Sequence, residues 1–156
     1  MVKYVSKYLI FGPVGFLSKY WQGYFDYEIV GKDTVEGKKV IIIKSYPKSV
    51  MVENNNYGRI WIDEKDFSIL KIEWDPRSIR DYDKGPISSP IGDLKKEMIW
   101  SVTFGKEKNG VRFPSEQCIQ EVLINEESEK FILEETLFAY VDYQFFIVEV
   151  DVKYND

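Results

Sequence analysis

The sequence predicts a mainly β fold, a curved antiparallel sheet with one or two short helices at its N-terminal end, and three observations carry that reading. The stretch 57–75, YGRIWIDEKDFSILKIEWD, holds two period-2 runs joined by a short polar turn. Residues 94–106 place Met98, Trp100, Val102 and Phe104 on one side of a strand and Lys95, Glu97, Ser101 and Thr103 mostly on the other. Aromatic residues make up 16% of the chain, and Tyr and Phe in such numbers favour strands and can line an apolar cavity. On composition alone, plain aromatic packing inside a sheet protein accounts for them better.

At 156 residues the chain is most economically one domain, 1–156, large enough to bury a core without disulfides or metal. The net charge is −5 and the lysines are spread along the chain, so the electrostatic footprint of a nucleic-acid binder is missing. Cys118 is the one cysteine, and its neighbours Ile119, Val122 and Ile124 make it a packed strand thiol. No segment approaches the roughly 18 apolar residues that a membrane-spanning helix needs. Residues 8–17 follow Lys3 and Lys7 in the manner of a signal peptide. Gly12, Pro13 and Gly15 break that run and no small-x-small cleavage site follows, so no signal peptide is expected in this chain.

Taken in order, Val2, Val5 and Leu9 share a helical face too short to be stable alone. Pro13 suits the first turn of a helix, Val14, Leu17 and Trp21 recur at i, i+3 and i+7, and Gly23 is placed to end it. Their stripe is either a lid over a cavity or a core-facing stripe. Strands over 24–32 and 38–46 flank the turn Glu36-Gly37. Val40, Ile41, Ile42 and Ile43 are apolar on both faces, which requires something to pack on each side of the sheet. In the hairpin that follows, a turn over 64–66 would pair Ile60 with Leu70 and Ile62 with Ser68, gathering Ile60, Ile62, Leu70, Ile72 and Trp74 on one face. Prolines and glycines make 75–93 a long loop, with Ile79, Tyr82, Ile87 and Ile91 to bury as a flap across the concave face. Asn109-Gly110 turns the 94–106 strand into 111–125, where Pro114 marks an edge or a bulge. Residues 126–130 turn into a strand over 131–140, and 145–154 form the last one.

The chain has no histidine, which removes histidine triads, cysteine–histidine pairs and histidine metal sites together. Gly12-Pro13-Val14-Gly15 lacks the lysine and the strand-before-helix setting of a phosphate loop. Asp63, Glu64 and Asp66 crowd a turn where a loose calcium site is conceivable, but the spacing is not that of an EF-hand and a solvated hairpin tip is the better reading. Glu126-Glu127 and Glu134-Glu135 read as turn or solvent-facing charges. No catalytic residue, metal or cofactor is expected.

Several of these runs resemble a known superfamily. They are DYEIVGK at 26–32, leading through Glu36-Gly37-Lys38 to Ile41-Ile42-Ile43 and Pro47-Lys48, then GRIWID at 58–63 and LKIE at 70–73, with GVRFP at 110–114 and YQFFIVE at 143–149. Over about 24–154 the chain resembles the outer-membrane lipoprotein-sorting (LolA-like) superfamily, in the manner of the C-terminal part of such exported bacterial proteins. The resemblance implies a strongly curved half-barrel in the periplasm, apolar on its concave side, holding acyl chains or docking another protein. No arginine stands where the carriers have theirs in the cavity.

The leading expectation is therefore a non-enzymatic envelope protein that takes an acyl chain or lipoprotein. Its wall would be Ile60, Ile62, Leu70, Ile72, Trp74, Met98, Trp100, Val102 and Phe104, with Phe16, Leu17 and Trp21 as cover. Taken singly, each of these residues is better read as plain core. The alternative is an interaction or sensor module that docks a protein partner through the same face or an edge strand, with no cavity. An enzyme working with carboxylates alone is the remote third possibility.

Overall fold

The computed structural model describes residues 19–49, 57–78, 86–89 and 92–143. After one helical turn, α1 (Lys19–Gln22), and apart from a 3-10 turn at Pro76–Ser78, the regular structure of the described chain is strand: β1 (Phe25–Val35), β2 (Lys38–Pro47), β3 (Gly58–Asp63), β4 (Ile69–Trp74), β5 (Pro86–Ser89), β6 (Gly92–Thr103), β7 (Lys106–Lys108), β8 (Val111–Phe113), β9 (Glu116–Ile124) and β10 (Lys130–Ala139). The main sheet is antiparallel in the order β1-β2-β3-β4-β6-β9-β10, and β5 pairs with the start of β6. β1 and β10 stay unjoined, so the sheet is not closed into a barrel. The helix expected over 13–23 is described only in this last turn, and the strand expected over 145–154 lies outside the described residues.

Two turns match the sequence reading. Glu36 and Gly37 have φ of 49° and 77°, and Asn109 and Gly110 have 53° and 77°. Positive φ at both central residues gives the turn whose twist fits a right-handed antiparallel pair, and glycine reaches it without a Cβ clash.

The hairpin of β3 and β4 differs from expectation. Ile60 pairs with Ile72, not Leu70, and Ile62 pairs with Ile69, not Ser68. The turn runs one residue further, through Phe67 at φ 58°, where the Phe67 amide donates to the Asp63 carbonyl. Leu70 is the extra residue of a bulge between the two registers, and a one-residue slip moves a side chain to the opposite face. Leu70 accordingly leaves the Ile60 side, and Ile69 joins it.

Part of the predicted long loop is strand, while Ile79, Tyr82 and Ile91 of the expected flap lie outside the described residues. Pro86–Ser89 forms β5 against residues 92–95, and β6 begins at Gly92. The expected strand over 111–125 is likewise two pieces, β8 and β9, whose pairings with β7 and β6 keep one register: Lys95 opposite Ile124, Thr103 opposite Glu116, Lys108 opposite Val111. The ladder breaks where Pro114 has no N–H to give. There the Ser115 amide donates to the Thr103 carbonyl (2.7 Å), the Gly105 amide to Ser115 Oγ (3.0 Å) and the Phe104 amide to the Leu70 carbonyl (2.8 Å).

Both faces of the sheet carry a core, as the doubly apolar 40–43 run requires. One face buries Phe25, Tyr57, Ile60, Ile72, Trp74, Trp100 and Val102 together. The other buries Val40, Trp61 and Leu70, with Val35 and Ile42 packed beside them. Between β3 and β4 the strands approach closely at Gly58: a Cβ there would lie 2.0 Å from the Glu73 carbonyl oxygen. Buried Ser45 Oγ meets both the amide and the carbonyl of Gly58 at 3.0 Å.

Candidate functional site

The residues predicted to form a ligand wall come together, but as a packed cluster. Ile60 and Ile72 have no exposed surface, and Trp74, Trp100 and Val102 are buried beside them. The Trp74 and Trp100 rings lie 5.1 Å apart at 33°, and Phe25 and Tyr57 lie 6.4 Å apart, arrangements usual for aromatic core pairs. Ile62 and Phe104 are partly buried against this cluster, and Met98 is half-buried on the same side of β6. Leu70 sits on the opposite face. Phe16 and Leu17, and the side chain of Trp21, lie outside the described residues.

The carboxylates of the β3–β4 turn are taken up locally. Buried Asp63 accepts from the Lys65 amide (2.9 Å) and lies 3.4 Å from Lys38 Nζ. Glu64 pairs with Lys32 at 2.6 Å, and Asp66 accepts from the amide and hydroxyl of Ser68. Those hydrogen bonds, the side-chain one foremost, hold the Asp66 carboxyl below its ordinary pKa. Arg112, on the β8 strand, reaches across to this turn: its Nε donates to Ser68 Oγ at 2.7 Å, with Glu107 and Asp66 carboxylates at 3.3 and 3.7 Å from its NH2 group. Sequence reasoning missed this clamp, because nothing in a three-residue strand announces that its arginine turns inward. Burial, then the Glu135 and Glu116 carboxylates, push the Cys118 thiol up, which disfavours a nucleophilic thiolate.

A different kind of surface lies at the β10 end. β10 is the last strand of the sheet order, so among the described residues nothing pairs with its outer side. Ile132, Leu133 and Leu137 are 59, 54 and 57% exposed, and Phe131, Phe138 and Val141 are exposed as well. A bulge at Leu133 puts Ile132, Glu135 and Leu137 on one face and Phe131, Glu134, Thr136 and Phe138 on the other. The sequence showed a strand here; it gave no sign that the strand would be an open one.

No family model, curated protein or solved structure matches the chain.

Proposed function

We propose that this domain is a non-catalytic binding module that takes an extended polypeptide segment along the free side of β10. The observation that supports the reading is an end strand of ten residues with apolar side chains exposed on both faces. An open strand offers a row of unpaired backbone donors and acceptors, and natural sheets usually blunt such an edge with lysine, proline or a cover. β10 has one lysine, at its first residue, and no proline. Its bulge, between Ile132 and Glu134, leaves the pairing of residues 134–139 with β9 continuous. A strand added there would gain main-chain hydrogen bonds for affinity, and alternate side chains would supply specificity.

Titrating the 15N-labelled protein with ten-residue peptides of strand-forming sequence tests this. Amide shifts concentrated in 130–139 are expected; shifts spread over β3, β4 and β6, or none with any peptide, would contradict it.

The second reading is the acyl carrier of the LolA-like resemblance, a curved half-barrel in the periplasm. It is favoured by Ile62, Phe104 and Ile119, which remain only partly buried against the core cluster and leave apolar surface on that face. Under it, native mass spectrometry should find lipid-sized adducts on the purified protein, and Trp100→Asp should remove them while circular dichroism reports the fold.

A further inference from the structure

Resting on the edge-strand reading, we infer that the occupant of β10 is a segment of another protein with a basic pair in its middle and apolar residues on either side. The argument is charge complementarity. Residues 116–142 hold eight carboxylates and one cation, Lys130, a net charge of −7. The whole chain carries −5, so the remainder is net +2 and the negative charge is concentrated on the β9–β10 hairpin. Along β10 itself the order is Phe131-Ile132-Leu133, Glu134-Glu135, Thr136, Leu137-Phe138. An incoming strand therefore meets apolar side chains at both ends and two carboxylates between them.

Those two carboxylates face opposite sides of the sheet and differ in their surroundings. Glu134 lies directly across from Glu121, a like-charged cross-strand pair, and Lys96 engages Glu121 from the far side. Like charges placed opposite each other destabilise a sheet, and a cation arriving on the open side of Glu134 relieves that. Glu135 accepts from Gln120 Nε2 and has the Cys118 thiol at 3.9 Å, both neutral groups that leave its charge uncompensated. The same pair argues against a second copy of this chain: an antiparallel β10–β10 contact centred on Glu134 or on Glu135 sets that carboxylate against its own copy across the two-fold axis.

Three peptides sharing apolar ends and differing in their central pair, Lys-Lys, Ser-Ser or Glu-Glu, test the inference by fluorescence anisotropy on the full chain. The Lys-Lys peptide should bind about tenfold more tightly than Ser-Ser at low salt, two exposed ion pairs' worth, with most of the difference gone at 0.5 M salt. E134K/E135K should reverse the order of Lys-Lys and Glu-Glu, and E134Q/E135Q should abolish it; both positions are exposed, and circular dichroism verifies the fold of each variant. Equal affinity of the three peptides, with amide shifts still confined to β10, overturns the charge inference and leaves the edge reading standing. No binding by any of them overturns both. Two further results overturn it: a dimer by sedimentation that L137K dissolves, which would make the occupant a second copy, and gain of peptide binding on removing residues 144–156, which would make it this chain's own tail.

Discussion

In β4 and β6 the residues Ile72, Trp74, Trp100 and Val102 are sealed inside one cluster, whereas in β10 Ile132, Leu133 and Leu137, equally apolar, are each more than half exposed. Both regions belong to the same sheet, and their composition does not separate them. Their position does. A central strand has a neighbour on each side, so its side chains are shielded laterally as well as from above, while among the described residues β10 has β9 alone. Burying a large apolar side chain is worth roughly 1.5–3 kcal/mol. The centre has realised that gain in folding, and the edge still has it available for association.

The sharpest way to break this comparison is to truncate one residue in each place. Trp100→Ala should lower stability by about 4 kcal/mol in chemical denaturation, as a large buried aromatic lost to a cavity does. Leu137→Ala should change it by less than about 0.5 kcal/mol. Equal losses at the two sites would mean that β10 is core after all. Gly58→Ala probes the close approach of β3 and β4: a methyl aimed at the Glu73 carbonyl has to push two strands apart, and a loss of about 3 kcal/mol is expected from thermal melts.

A smaller effect than either Trp100→Ala or Gly58→Ala concerns the end of β4. Burial raises the Asp75 carboxyl, but the hydrogen bonds and charge of Arg77 outweigh it, with Arg77 Nε at 3.0 Å, and hold the pKa below its ordinary value. A carboxyl depressed in the folded state stabilises above its unfolded pKa, and that contribution is lost as pH falls through the folded value. Asp75→Asn should therefore cost about 1 kcal/mol at pH 7, kept small by the exposed Arg77, and nothing once wild type is itself protonated in acid. A penalty independent of pH would assign the effect to packing.

Much of the sheet was legible because local chemistry leaves few options. Asn109-Gly110 and Glu36-Gly37 fit the positive-φ turns they occupy, and the 98–104 alternation has one apolar side whichever neighbour it finds. The β3–β4 register was not legible, since Ile69 and Leu70 are apolar at consecutive positions and the pattern is satisfied with or without the bulge. β5 was hidden by Pro86, its own first residue, and Pro90 just after it, which make the four-residue segment read as loop. Ile60, Ile72, Trp74, Trp100 and Val102 were grouped by their alternation, as a ligand wall, while Phe25 and Tyr57 of the same cluster and the exposed edge were not. A strand's sequence records its own alternation, and whether a neighbour covers it depends on the order of strands in the sheet.

Hydrogen exchange on the free protein and on its complex with the Lys-Lys peptide tests the central claim most directly. In the free protein, amides of β3, β4 and β6 should exchange slowly while alternate amides of β10, those on its outer side, exchange fast, and the peptide should slow that outer set alone. Outer amides of β10 that are already as slow as those of β6 without peptide, or protection appearing in β3 to β6 instead, would contradict the account.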